Sequence, residues 1–358
     1  MYKLLRPILF RVQPETMHNT MASVGKVLSP LAWVLSLPFT FEDPSLEIEV
    51  FGTKFKNPVG LAPGYDKSGK FSRFMAALGF GFIEVGSITP VPQPGNPKPR
   101  LFRLDADEAI VNRMGFNSVG MKIVAENLRR LQNRDFVVGV NLGKNKTTPN
   151  EEALRDYQAG FSGLSEFADY IVINVSSPNT PGLRQLQDKE PLTKILKEIQ
   201  ILNFGLPKSK AVLLKIAPDL TDGQLDDIAA IARETKIDGI IAANTTVSRD
   251  GLKTSKEQIE KIGEGGVSGR PVRDRVTKII AYLYKKLEGQ VPIIGAGGIF
   301  SAEDAYEKIR AGASLVEIYT GMVYEGPMLI KNIKKGLVRL LKNDGFGSVR
   351  EAVGAAHR

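Results

Sequence analysis

Eight short runs rich in β-branched residues recur along the chain, and helix-like stretches lie between them. The runs are Pro58–Ala62, Phe82–Ser87, Phe136–Asn141, Tyr170–Asn174, Val212–Ile216, Gly239–Asn244, Val291–Gly295 and Leu315–Tyr319. "EDAYEKIRAGA" is one such intervening stretch, between the last two. Strands alternating with helices imply βαβ units and a parallel sheet. Eight units imply closure, so the expectation is an α/β fold, a (β/α)8 or TIM barrel. A length of 358 residues suits it, since such barrels routinely run past about 250 residues as one unit. The gaps after the second and sixth runs are long, which predicts enlarged loops there.

In such a barrel the active site forms at the C-terminal ends of the strands. Those ends read "APGYDK", "GSIT", "VNLGKN", "INVSSPN", "LKIAPD", "AANTT", "GAGGIF" and "IYTGM". Polarity reaches into the strands themselves, because Asn141, Asn174, Lys215 and Asn244 each follow apolar strand residues. An unpaired buried amide costs roughly 1–3 kcal/mol. One such residue could be a satisfied core amide, whereas four together favour a polar ligand.

"IIGAGGIFSAEDA" sets Gly295, Gly297 and Gly298 between a strand and a helix capped by Ser301. Free backbone N–H groups at a helix N-terminus favour an anion. The glycines alone also suit a tight turn, but the loops after strands seven and eight are this fold's usual phosphate site. "GGVSGRP" adds Ser268 and Gly269, and "YTG" adds Tyr319 and Thr320. Above a phosphate, the amides and Lys215 suit a ring with several donors and acceptors, such as a flavin. Lys215 has two further readings: a Schiff-base nucleophile of a barrel lyase and a structural ion pair.

With no cysteine in the sequence, disulfides, thiolate catalysis and cysteine–zinc sites are excluded. The two histidines, His18 and His357, lie near opposite ends. A metal site is therefore not expected, and the serines of "INVSSPN" have no evident triad. The net charge of +9 favours anionic partners such as phosphate ligands, acidic substrates, anionic lipid or nucleic acid. The basic residues are dispersed, and "IKNIKKGLVRLLKN" reads as an amphipathic helix covering the core.

Residues 1–42 differ from the rest. "PETMHNTMASVGKVL" places Met17, Met21, Val24 and Leu28 at helical spacing, and "LAWVLSLPF" follows. These read as two short helices packed on the main body, or as an apolar pair that dips into a membrane and lines a tunnel for a lipid-soluble ligand. Lys3, Arg6, Arg11 and Lys26 would then meet anionic headgroups. "MYKLLRPILF" carries charges within its apolar run and lacks a small-residue cleavage site, unlike a secretory signal. The longest uncharged run, Val27–Phe41, is too short to span a bilayer and contains Pro30 and Pro38. The expectation is a soluble or peripheral protein.

In chain order, "NPVGLAPGYDKSG", "EVGSITPVPQPGNPKPRLFRL", "NRMGFNS", "GVNLGKNK", "NVSSPNTPGLR", "LLKIAPDL", "ANTT", "GGVSGRP", "IIGAGGI" and "EIYTG" resemble dihydroorotate dehydrogenase. The extension is similar to that of the membrane-associated, quinone-using class 2. The resemblance implies two domains: residues 1–42 as a membrane and quinone-tunnel extension, and 43–358 as an FMN-binding barrel. It implies cofactor contacts from Pro63, Gly64, Tyr65, Asp66, Lys67, Ser87, Asn141, Asn174, Lys215, Ala243, Ser268, Gly269, Gly297, Gly298, Tyr319 and Thr320. It implies substrate contacts from Lys67, from Asn112, Arg113, Met114, Gly115 and Phe116, and from Asn174, Asn179, Asn244 and Thr245. Ser177 matches the catalytic base, with Thr180 and Phe116 in its proton relay. His18, Arg103 and Tyr319 match the polar residues of the quinone tunnel.

On this reading Ser177 is no acyl nucleophile. It takes a proton from C5 of dihydroorotate while C6 gives hydride to the flavin. The family's other class uses a cysteine base, which this chain lacks. The partners implied are dihydroorotate, orotate and a membrane quinone, with peripheral membrane contact and no nucleic acid. A monomer at the cytoplasmic face of a bacterial membrane is expected. A flavin barrel acting on tRNA uridines suits the charge, but it would be expected to add an RNA-binding domain and a cysteine.

Overall fold

A computed structural model describes residues 2–358. Eight parallel strands close into a barrel in chain order: β1 (Val59–Leu61), β2 (Phe82–Ile88), β3 (Val137–Leu142), β4 (Tyr170–Asn174), β5 (Ala211–Ile216), β6 (Gly239–Ala242), β7 (Ile293–Ala296) and β8 (Ala313–Ile318). The ring closes where Val316, Glu317 and Ile318 pair with Val59, Gly60 and Leu61. All eight strands fall on the expected runs, with no end moved by more than two residues. The sixth stops at Ala242 rather than Asn244, although Asn244 N still donates to Ile216 O at 2.9 Å.

Helices cover the outside, each burying one stripe. The "EDAYEKIRAGA" stretch forms Ala302–Arg310, where Ser301 accepts from Asp304 N as N-cap. The basic C-terminal segment forms Leu329–Asn343 and buries Ile330, Ile333, Leu337 and Leu341, as its periodicity predicts.

The N-terminal end of the barrel is filled with aromatic rings. Phe82 and Tyr170 begin β2 and β4, and their rings lie where Gly60 and Gly139 have no side chain. A Cβ at Gly60 would sit 2.2 Å from Phe82, and one at Gly139 would sit 2.1 Å from Tyr170. A hairpin of Ile48–Val50 and Thr53–Phe55 closes this floor, with Phe55 stacked edge-on to Phe82 at 5.3 Å.

The enlarged loops after β2 and β6 meet above the opposite end. Leu101–Leu104, Ala109–Asn112 and Gly266–Gly269 form a three-stranded antiparallel sheet that lids the mouth. At the N-terminus, α1 (Tyr2–Leu9) packs on the helix Thr320–Glu325 that follows β8, and α2 (Pro14–Leu28) packs on the helix Ser72–Ala77 after β1 and on the lid strand Leu101–Leu104. The helical periodicity read from the sequence does not extend to α1. Tyr2 Oη donates to Val323 O at 2.6 Å, and Phe10 packs on Tyr324 at 5.3 Å. The absence of a side chain at Gly25 lets α2 approach closely, since a Cβ there would be 2.9 Å from Phe74. The outer surface of this extension stays apolar: Leu4, Val27, Trp33 and Leu37 are 80%, 75%, 74% and 70% exposed. Among the described residues, no helix is long and apolar enough to cross a membrane.

Candidate active site

Between the strand ends and the lid lies a partly open cavity. Of the expected cofactor residues, Pro63, Gly64, Lys67, Ser87, Asn174, Lys215, Ala243, Ser268, Gly269, Gly297, Gly298, Tyr319 and Thr320 line it. Asn112, Met114, Gly115, Phe116, Ser177, Asn179, Asn244 and Thr245 line the same cavity. Ser177 and Lys215 thus share one chamber although they come from β4 and β5.

The bottom of the chamber is charged. Lys215 Nζ donates to Glu317 Oε2 at 2.9 Å and lies 3.5 Å from Glu84 Oε1. Burial alone would lower the lysine's pKa, but the two carboxyls outweigh it and raise it. The ion-pair reading of Lys215 therefore describes the structure. A Schiff-base lysine needs a depressed pKa to be nucleophilic at neutral pH, so the lyase reading loses its footing. Glu84 and Glu317 were not picked out from the sequence, although a lone charge inside "FIEVG" and "LVEIY" was a usable signal.

Above this layer an amide network fixes the strand ends. Asn141 Nδ2 donates to Glu84 Oε1 at 2.7 Å, its Oδ1 accepts from the Ser87 hydroxyl, and Asn174 Nδ2 donates to the same oxygen at 3.1 Å. Ser176 Oγ donates to Asn174 Oδ1 at 2.8 Å and accepts from Asn244 Nδ2 at 2.9 Å. Across the lid, Asn179 Nδ2 donates to Asn112 Oδ1 at 3.0 Å. Four asparagines thus converge on the chamber with their orientations held.

Ser177 is buried, and its Oγ accepts only the Asn179 backbone N–H, at 3.3 Å. Lys67 Nζ donates to Asn117 Oδ1, a partner the sequence reading did not name. Burial, with the positive Arg100 nearby, pulls the Lys67 pKa down to about 7. Among the described residues, the buried hydroxyls of Thr180 and Thr245 and Oε1 of Glu317 have no hydrogen-bond partner. Such orphans are costly, and two of these residues face a chamber made for a polar guest.

Seven expected site residues do not line the chamber. Asp66 is fully buried, and its carboxylate is consumed by the backbone N–H of Ser68, Lys70 and Phe71 and by Ser72 Oγ, so it holds its own loop. Arg113 turns outward and donates to Ile262 O, Glu264 O and Pro99 O. Asn141 lies one layer below, bracing Ser87 and Asn174. Thr180 is buried outside the lining. Tyr65, His18 and Arg103 sit towards the extension. His18 packs edge-on against Tyr65 at 5.5 Å, and Tyr65 against Tyr319 at 5.2 Å, so a line of rings runs from α2 to the chamber wall. Burial, reinforced by the charge of Lys67, drops the His18 pKa to about 4. Arg103 donates to Phe10 O at 2.8 Å and Val12 O at 2.9 Å, clasping the α1–α2 turn.

The lining fits a flat, phosphorylated group. Gly269, Gly297 and Gly298 have φ of +105°, +127° and +72°, conformations that favour glycine, and their backbone lines the chamber. A Cβ at Gly298 would lie 2.5 Å from Arg273 Cα. Ser268 Oγ and Thr320 Oγ1 sit 2.8 Å apart beside them, giving hydroxyls for an anion. Lys215, Asn174 and Ser87 bring polar groups to the edge of a ring, and Lys67 brings an amine on the lid side.

Known proteins similar to this chain point to one family. The family model described as dihydroorotate dehydrogenase matches residues 45–341. A protein of Christiangramia forsetii named "Dihydroorotate dehydrogenase (quinone)" is 52% identical over 94% of this chain and 99% of its own length. One of the same name from a Roseiflexus species is 48% identical over 99% of this chain and 98% of its own. A crystal structure of DHODH from Eimeria tenella in complex with ferulenol superposes with a TM-score of 0.87. It is 41% identical and covers 96% of both chains.

Proposed function

The chain belongs to the dihydroorotate dehydrogenase family, and from that premise we propose how its chamber divides the work. The enzyme is an oxidoreductase: it oxidises dihydroorotate to orotate in pyrimidine biosynthesis, and a quinone accepts the electrons. The cofactor is a flavin. We read it as FMN, its phosphate at Gly269, Gly297, Gly298, Ser268 and Thr320 and its ring edge over Lys215, Asn174 and Ser87. When bound, the flavin accepts the hydride that leaves C6 of the substrate.

The protein's own residues do the rest. Lys67 pairs with the substrate carboxylate, and Asn112, Asn174, Asn179, Asn244 and Thr245 hold the ring amides. The orphan hydroxyl of Thr245 gains a partner on binding. Ser177 Oγ takes the proton from C5. An unperturbed hydroxyl is a weak base, so its contribution is geometric, with the proton leaving through the buried Thr180 hydroxyl beside Phe116.

The observation that carries this reading is the meeting of Ser177, Lys67 and four asparagines with Lys215 and the glycine wall in one chamber. The quinone reaches the flavin along His18, Tyr65 and Tyr319, from an extension (residues 1–42) that rests on the membrane while residues 43–358 form the catalytic domain. We read the protein as a monomer held peripherally at the cytoplasmic face of a bacterial membrane. The test is anaerobic mixing with dihydroorotate, followed by a soluble quinone. Flavin colour bleaches in the first step and returns in the second. A folded, colourless protein that FMN cannot reconstitute overturns the reading.

A further inference from the structure

The layer beneath the proposed flavin contains two carboxyls and one ammonium with almost no solvent. Glu84, Glu317 and Lys215 are 0%, 1% and 4% exposed. With both carboxyls ionised, the layer would hold a net negative charge between apolar strand residues and the aromatic floor. Two like charges sharing one counter-charge in such a place do not both stay ionised at neutral pH. Electrostatics therefore favours one proton on the pair.

Its position follows from the donors. Glu84 accepts Asn141 Nδ2 at Oε1, 2.7 Å, and Tyr170 Oη at Oε2, 3.4 Å, so each of its oxygens already receives a hydrogen. Glu317 accepts only Lys215, at Oε2, and its other oxygen is buried without a partner. That oxygen is the one carboxyl oxygen of the pair with no hydrogen already directed at it. Burial and the neighbouring Glu84 raise the Glu317 carboxyl well above the ordinary range, with Lys215 opposing.

We propose that Glu317 is a neutral carboxylic acid in the working enzyme, leaving Lys215 and Glu84 as a net-neutral pair beneath the flavin ring. Glu317 is then an electrostatic positioning residue. Its proton prevents a second negative charge from opposing electron uptake in the chamber. This rests on the flavin placement given above.

Two measurements decide it. The first is the reduction potential of the bound flavin in the full-length protein at neutral pH. Glu317→Gln leaves it unchanged, because one neutral group replaces another. Glu84→Gln raises it, because a negative charge is lost. A Glu317→Gln shift as large as that of Glu84→Gln overturns the proposal. The second is infrared spectroscopy, which needs neither flavin nor the Glu84 variant. The unsubstituted protein shows the C=O stretch of a protonated carboxyl, and Glu317→Gln abolishes it. A spectrum without that band, or a band that survives the substitution, also overturns the proposal. Failure to load flavin would sink the proposed function and leave the infrared result to decide Glu317.

Discussion

Glu15 on α2 and Arg100 in the loop before the lid sheet form a forked ion pair. Arg100 Nε and Nη2 lie 3.2 Å and 2.8 Å from Glu15 Oε1, and the two side chains are only 7% and 5% exposed. The remaining Arg100 nitrogen donates to Pro94 O and Asn96 O at 2.7 and 2.8 Å. Asn96 in turn donates to Arg113 O and Asn179 O. The N-terminal extension is thereby tied to the loops that carry Arg113 and Asn179.

Glu15→Gln leaves a buried guanidinium without its counter-charge, and breaking such a pair costs about 3–5 kcal/mol. The variant melts at a lower temperature by calorimetry and binds orotate more weakly by flavin difference spectra. Burial raises the Glu15 carboxyl, but the hydrogen bonds and charge of Arg100, with Lys98 adding, outweigh it and hold the pKa below the ordinary value. A depressed carboxyl contributes stability above its unfolded pKa and loses it as pH falls through the folded one. The melting gap between the two proteins therefore narrows in acid. Equal melting at neutral pH would refute the pair's role.

Ser177→Ala retains bound flavin, because Ser177 Oγ has no part in the amide network beneath the ring position. Flavin reduction by dihydroorotate slows by orders of magnitude in stopped flow, while reoxidation by quinone stays fast. A reduction rate within a few-fold of the parent would remove Ser177 as the base.

Lys67 sets a pH dependence for orotate. Its pKa of about 7 lies below the ordinary lysine value of 10.5, so the ligand-free side chain is largely neutral above that pH. A carboxylate selects the charged form. Orotate binding therefore takes up a proton and weakens by up to about tenfold per pH unit above neutrality. In the ligand-free protein the unfolded chain binds more protons across the same window, so stability rises with pH there. Calorimetric titration in two buffers of different ionisation enthalpy measures the uptake. A pH-independent affinity with no proton uptake contradicts it.

Trp33 is the sole tryptophan and is 74% exposed on the extension. Vesicles containing anionic phosphatidylglycerol shift its emission to the blue, and purely zwitterionic vesicles shift it less, because the basic residues of the extension add attraction. Emission unmoved by either vesicle would argue against membrane contact through this surface.

The barrel was legible because eight buried strands impose a repeat that local sequence cannot hide, and the glycines at 297 and 298 announce backbone that no side chain could share. Asn141, Asn174 and Asn244 stand out as polar groups where apolar ones are due, whereas the roles of Ser177, Asn112 and Asn179 rest on the family resemblance. Elements with no periodicity were not legible. The floor hairpin and lid strands are three or four residues each, too short for alternation to register. Asp66 and Arg113 sit inside motifs whose neighbours face the chamber, and only the loop's turn shows that these two look elsewhere. Glu84 and Glu317 were visible as charges in apolar runs, but their meeting across β2 and β8 depends on closure of the ring.

The chamber's lining runs from Ala62 to Gly321. No nascent chain can offer a finished seat until the last strand has left the ribosome and sealed against the first. Cofactor capture is therefore a late event in biogenesis, and a product truncated before β8 would have neither the seam nor a place to retain the dye.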